Sequence, residues 1–192
     1  MADVLVRAGV SANAISLAGL ACAIGAGATL FMTSYAAGSW ERVLWVVAGA
    51  LVPMRLLANM LDGMVAIGAG SASRVGELYN EVPDRIADAA VLIGLGYAAG
   101  GSPTLGYVGA CLAIMTAYIR AVGKAAGAPS DFRGPMGKQQ RMFLVCVTAL
   151  YCGLAPAAWQ PRLDWLGRPW GLASGALVII ALGCVVTCVR RL

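Results

Sequence analysis

Five of the chain's nine acidic residues, Asp62, Glu77, Glu81, Asp84 and Asp88, fall in one stretch between Arg55 and Asp88, accompanied by Asn59 and Asn80. In a chain that is otherwise strongly apolar, carboxylates gathered beside membrane-length helices are costly to desolvate. They are tolerated most readily where they bind metal or substrate. Asn59 and Asp62 are three apart and share a helical face; Asn80, Asp84 and Asp88 are spaced by four and line another, with Glu77 a turn earlier. Two facing helices built this way could point oxygen ligands at a common centre. Carboxylate and amide oxygens, with no nitrogen or sulfur ligand nearby, suit a hard divalent cation such as Mg²⁺ or Mn²⁺, whose natural co-ligands are substrate phosphates and water. Gly63, Ala66, Gly70 and Gly76 leave room for something bulky against the backbone.

Other chemistries are excluded by composition. The chain has no histidine, which removes histidine-based triads, imidazole acid–base catalysis and zinc–histidine sites. Its six cysteines are scattered through apolar runs without a C-x-x-C pair, as packing residues are. What remains is chemistry by carboxylates, Lys or Arg, hydroxyls and a hard metal.

The elements that must carry these residues are membrane helices. Of the 192 residues 60% are hydrophobic and 12% charged, against about 25% charged in a typical soluble domain. At about 20 residues per crossing, the length admits about six helices and no separate soluble domain. The expected fold is therefore an all-α integral membrane bundle of six transmembrane helices, one domain over residues 1–192, with a short amino-terminal surface helix carrying Asp3 and Arg7 and no cleavable signal peptide. The spans are placed at about 13–36, 43–66, from between 76 and 84 to about 100, 104–124, 142–158 and 169–189. Pro53 is expected to kink the second. Between the second and third lies a polar loop, GAGSASRVGE.

Orientation follows from the basic residues. With the amino terminus inside, the inner side holds Arg7, Arg74, Arg85, Lys124, Arg133, Lys138, Arg141, Arg190 and Arg191, and the outer side Arg42, Arg162 and Arg168. Trp40, Trp45, Trp159, Trp165 and Trp170 fall at the opposite face as an interfacial belt. Both signals put the acidic segment at the cytoplasmic boundary, in the inner membrane if the source is bacterial. The basic residues near the fourth and fifth spans serve either as topology determinants or as an anion pocket for a phosphorylated acceptor or lipid headgroups.

The acidic stretch resembles the signature of the CDP-alcohol phosphotransferases, D-x-x-D-G-x-x-A-R, about eight residues, then G-x-x-x-D-x-x-x-D. Here it reads N-x-x-D-G-x-x-A-I from Asn59 to Ile67, eight residues, then G-x-x-x-N-x-x-x-D from Gly76 to Asp84. SANAISLAG is similar to the family's P-N-x-x-T stretch before its first helix, and GPMGK to its Gly-Lys element before the fifth. The resemblance covers essentially the whole chain. It implies attack of an alcohol hydroxyl on the β-phosphorus of a CDP-linked donor, with release of CMP. The motif aspartates would hold divalent ions on the diphosphate and the last would also be the general base.

Carried over position by position, Asp62 and Asp84 match aspartates, Asn59 and Asn80 replace the other two, and Asp84 falls at the base position. The implied metal ligands are thus Asn59, Asp62, Asn80 and Asp84, with Glu77 able to restore a lost charge. Gly63, Ala66 and Gly76 would shape the nucleotide pocket. Ile67 stands where the family has Arg, and Arg55 or Arg74 could take over its contact with diphosphate or ribose. The implied partners are CDP-diacylglycerol or a related CDP-alcohol, an acceptor alcohol that is phosphorylated in one version, and membrane lipids. No nucleic-acid partner is expected, and small-residue faces allow a homodimer. The two amides keep a second reading open, a degenerate CDP-lipid-binding protein without turnover. A small transporter ranks lower, because no inverted halves are visible.

Overall fold

The computed structural model describes residue 9 and residues 11–68, 74–128, 132–161, 163–165 and 168–192, with backbone alone for 66, 74–80, 165, 168 and 169. Six long helices follow in order: α1 Ala12–Met32, α2 Ser39–Gly68, α3 Arg74–Tyr97, α4 Pro103–Ala125, α5 Lys138–Leu154 and α6 Leu172–Arg191. Ser11 caps α1, its side chain accepting from the Ala14 amide at 3.2 Å. Pro103 opens α4 at a position where a missing N–H costs nothing.

The fold is all-helical as expected, with one short addition: β1 (Leu163–Trp165) and β2 (Arg168–Trp170) pair antiparallel between α5 and α6, Asp164 opposite Pro169. Several expectations need correction. The expected fifth span, 142–158, starts and stops too late. The helix begins at Lys138, because the first turn KQQR turns Gln139 and Gln140 outward and Lys138 and Arg141 inward, and it ends at Leu154, before Pro156 and a 3₁₀ turn over Ala157–Trp159. α2 runs on through Pro53 and α3 through Pro83, so neither proline ends its helix. Trp45 is no belt residue: it is 2% exposed in the central core, whereas Trp40 and Trp159 are exposed. The expected surface helix and the loop between α2 and α3 fall largely outside the described residues.

Among the described residues four helical stretches are long and apolar enough to cross a bilayer: Ala12–Tyr35, Ser39–Val65, Pro103–Ala125 and Leu172–Arg191. The protein is an integral membrane protein. α3 carries the acidic motif and α5 has 17 residues, which separates both from the other four by composition or length. Leu17, Phe143 and Leu182 are among the large apolar side chains left on the outside, as expected where lipid is the solvent. At about 1.5 Å per residue the 30 residues of α2 span about 45 Å, against a hydrocarbon core of about 30 Å. Its last ten residues, which include Asn59 and Asp62, are length beyond one crossing.

The helices pack in a ring, α1–α2–α5–α6–α4–α3, with α1 touching both α2 and α3. Small residues bring the backbones together. A Cβ on Gly94 would collide with the Gly27 backbone of α1, and one on Gly96 would lie 2.8 Å from the Cα of Gly106 in α4. Gly153 and Gly49 similarly seat α5 against α2. Much of the small-residue surface is thus consumed inside the chain. Gly94→Val is expected to destabilise by at least the about 1–3 kcal/mol typical of overpacking, because the obstructing atoms are backbone. Thermal unfolding of the detergent-solubilised protein reads it, and an unchanged midpoint would show that α1 and α3 are not in backbone contact.

Candidate active site

Arg55, Asn59 and Asp62 occupy one face of α2 at spacings of four and three, and that face is turned inward: Arg55 is 3% and Asp62 2% exposed. Asp84 and Asp88 descend one face of α3 and are also buried. Neither ionised group belongs in an apolar interior alone, so each must find a partner.

Asp84 finds three. Arg55 donates through Nη2 to its Oδ1, Lys138 donates through Nζ to its Oδ2, and the Asn59 amide Nδ2 lies 3.4 Å from that same Oδ2. The faces of α2 and α3 meet at Asp84 through the nitrogen donors of Arg55 and Asn59, not through oxygen ligands gathered on one centre. Lys138 is brought in by a pinned loop. Gly134 (φ 123°) packs so closely on Thr187 of α6 that a Cβ would lie 2.5 Å from its methyl group. The Met136 amide donates to Thr187 Oγ1 at 3.0 Å, and the chain then enters α5 at Lys138. Burial pushes the Lys138 ammonium, which precedes the apolar run of α5, below the usual lysine range, and the Asp84 carboxylate pulls it back up.

One turn further along, the same two helices make a second ion pair. Arg141, 2% exposed, donates through Nη2 to Asp88 Oδ2 at 2.7 Å and through Nη1 to the Met136 carbonyl at 2.9 Å and Thr116 Oγ1 at 3.3 Å. Asp88 is therefore held by Arg141 through Oδ2, its buried Oδ1 having no hydrogen-bond partner among the described residues, and Arg141 joins α3, α4, α5 and the pinned loop. Glu81 lies outside this interior. It is exposed and pairs with Arg85 at 2.6 Å and Arg120 at 2.8 Å.

Asp62 is held differently. Its Oδ2 accepts from Ser16 Oγ of α1 at 2.6 Å, while its Oδ1 is buried and has no hydrogen-bond partner among the described residues. A charged oxygen orphaned in this way needs a cation or a donor, and a divalent ion fits it. Asn59, one turn back on the same helix, can supply an amide oxygen. Among the described residues no group of three or more His, Cys, Asp or Glu side chains forms a complete metal cage. The side chains of Glu77 and Asn80 are outside the described residues, as are those of Ala66 and Arg74 and the surroundings of Gly76. The backbone of 74–80 is helical, so Asn80 does precede Asp84 by one turn in α3. At Gly63 a Cβ would meet nothing within 4 Å, the open space expected of a position that borders a bound molecule.

The contacts of Ser16, Arg55, Lys138 and Arg141 with the aspartates were not foreseen from sequence. Ser16 was within reach, since SANAIS places it where the similar family stretch ends in Thr. Lys138 lies in the Gly-Lys element, but nothing in its spacing says that it turns toward Asp84.

The sequence matches no family model. It is 31% identical over 194 residues to the phosphatidylinositol phosphate synthase of Mycolicibacterium smegmatis, spanning 100% of this chain and 80% of the relative. It is 29% identical over 187 residues to the Mycobacteroides abscessus synthase (94% and 79%). It is also 25% identical over 173 residues to the inner membrane protein YnbA of Escherichia coli (90% and 81%). Among solved structures, the Mycobacterium tuberculosis phosphatidylinositol phosphate synthase superposes with a TM-score of 0.75 in complex with manganese and citrate, at 23% identity over 99% of this chain and 84% of that one. The same synthase with CDP-DAG bound gives 0.74 at 24% identity, over 99% and 88%. At those identities the superposition establishes a shared fold. With motif-register aspartates buried on facing helices and a synthase matching the chain from end to end, the protein belongs to the CDP-alcohol phosphotransferase family, whose members move a phospho-alcohol group from a CDP-linked donor to an acceptor alcohol, releasing CMP in phospholipid synthesis.

Proposed function

We propose that this chain transfers the phosphatidyl group of CDP-diacylglycerol to a phosphorylated polyol at the cytoplasmic face of a bacterial inner membrane, within a bundle of six spans. The observation that carries the reading is the pair Asp62 and Asp84, both buried, on faces of α2 and α3 joined by Arg55 and Asn59, beside open space at Gly63. The donor follows from the synthase neighbour with CDP-DAG bound, and the phosphorylated acceptor from the activity named for the relatives. The basic residues counted to the inner side favour the cytoplasmic placement.

Asp62 and Asn59 would hold a Mg²⁺ or Mn²⁺ ion, with Asn80 and Glu77 completing the set by register. Such an ion neutralises the diphosphate and polarises the phosphorus under attack. Asp84 takes the proton of the acceptor hydroxyl as that oxygen bonds to the β-phosphorus. The bond from phosphorus to the bridging oxygen breaks, and CMP leaves with the electron pair. The cations on Asp84 keep it ionised between turnovers. Arg55, on Asp84, takes over the diphosphate contact of the absent motif Arg with its planar guanidinium.

The test is CMP release from CDP-diacylglycerol in proteoliposomes with Mg²⁺ and a panel of free and phosphorylated polyols. Release is expected with a phosphorylated acceptor and is lost when EDTA removes the metal. Release with free polyols alone would reject the acceptor assignment. A second reading, donor binding without turnover, draws support from Asp84, whose two oxygens are both engaged by cations. It predicts CDP-diacylglycerol binding with no CMP formed under any acceptor.

A further inference from the structure

Resting on the transferase reading, we infer that Arg55 and Lys138 stand where a second divalent cation would otherwise sit, so that this chain binds one metal ion, on Asp62, and carries the other positive centre as part of the protein, on Asp84. The two motif carboxylates are in opposite situations. Among the described residues every hydrogen bond of Asp84 is with a donor: Arg55 on Oδ1, Lys138 on Oδ2, and the N–H side of the Asn59 amide on Oδ2 as well. Each oxygen of Asp84 already faces a built-in cation, so a divalent ion approaching it would meet like charge rather than an open carboxylate. Arg55 is 3% exposed, so an ion displacing it from Asp84 would strand a buried guanidinium charge. Asp62 accepts from a neutral hydroxyl and keeps one buried oxygen without a partner.

The sequence has the matching change in charge. Amides at Asn59 and Asn80 remove two of the negative charges that would hold a second ion. One guanidinium and one ammonium together carry the same double positive charge as the ion they replace. The lost motif charges and the placement of Arg55, with Lys138 of the Gly-Lys element, on Asp84 thus act in the same direction, against a second ion. The diphosphate would lie between a single ion on the Asp62 side and the fork of Arg55 with Lys138 on the other, a geometry suited to phosphate oxygens.

The count of bound manganese tests this without reference to turnover. Wild-type protein in nanodiscs, titrated with Mn²⁺ alone and followed by electron paramagnetic resonance, is expected to bind one ion per chain. The quadruple variant Asn59→Asp, Asn80→Asp, Arg55→Gln, Lys138→Gln is expected to bind two. Two ions per wild-type chain would overturn the inference, and that measurement stands even if the quadruple variant fails to fold. One ion in a folded quadruple variant would overturn it as well. CMP release by the same wild-type preparation keeps the two claims apart: one ion without release rejects the transferase reading, and two ions with release reject the single-ion site alone.

Discussion

Replacing Asp84 by Asn should lower CMP release by about 10²–10⁴, the usual consequence of removing a general base, while CDP-diacylglycerol still binds. The substitution nearly preserves shape and leaves Asp62 with its Ser16 contact and its unpartnered oxygen. It also leaves the buried Arg55 and half-buried Lys138 without their carboxylate, which lowers stability, so the rate is read on protein shown to be folded by thermal unfolding; both groups stay beside the diphosphate and donor affinity should not fall. The loss therefore belongs in kcat rather than KM. Asp88→Asn is the companion measurement, since Asp88 lies on the same face of α3 but is bound to Arg141. If Asp84→Asn turns over at the wild-type rate while a folded Asp88→Asn is inactive, the base has been placed on the wrong aspartate.

The second large effect is on stability. Arg141→Met removes the partner of a carboxylate that is 1% exposed and, with it, bonds to Met136 and Thr116 that tie α5 to the pinned loop and to α4. Breaking one half of a buried pair typically costs about 3–5 kcal/mol, because the remaining charge is left without compensation. Arg141→Met together with Asp88→Leu should recover most of that loss. Thermal unfolding in detergent distinguishes the outcomes. A single variant that melts with the wild type would show that the pair does not hold α3 against α5.

Much of this site was legible in the sequence because helical spacing is a strong constraint. Asn59 and Asp62 three apart, and Asp84 and Asp88 four apart, must share faces once their segments are helical, and in so apolar a chain those faces turn inward. The partners across the interface were less accessible. Lys138 and Arg141 read equally well as topology determinants, and only the loop pinned to Thr187 decides that they point at Asp84 and Asp88. Trp45 shows the reverse error. Tryptophan near a span end suggests an interface, yet glycines such as Gly49 and Gly153 let α2 and α5 approach closely enough to bury it. The hairpin of Leu163–Trp165 with Arg168–Trp170 escaped because three-residue strands are too short to show a period of two.

The central claim is that the two motif aspartates work as one transferase site across α2 and α3, and the most direct measurement is CMP release from CDP-diacylglycerol by three proteins assayed side by side. Wild type should release CMP in the presence of Mg²⁺ and a phosphorylated polyol. Asp62→Asn should fail together with its loss of manganese binding, and Asp84→Asn should fail while manganese and donor still bind. Release by either variant at the wild-type rate, or no release by the wild type with any acceptor, would contradict the account.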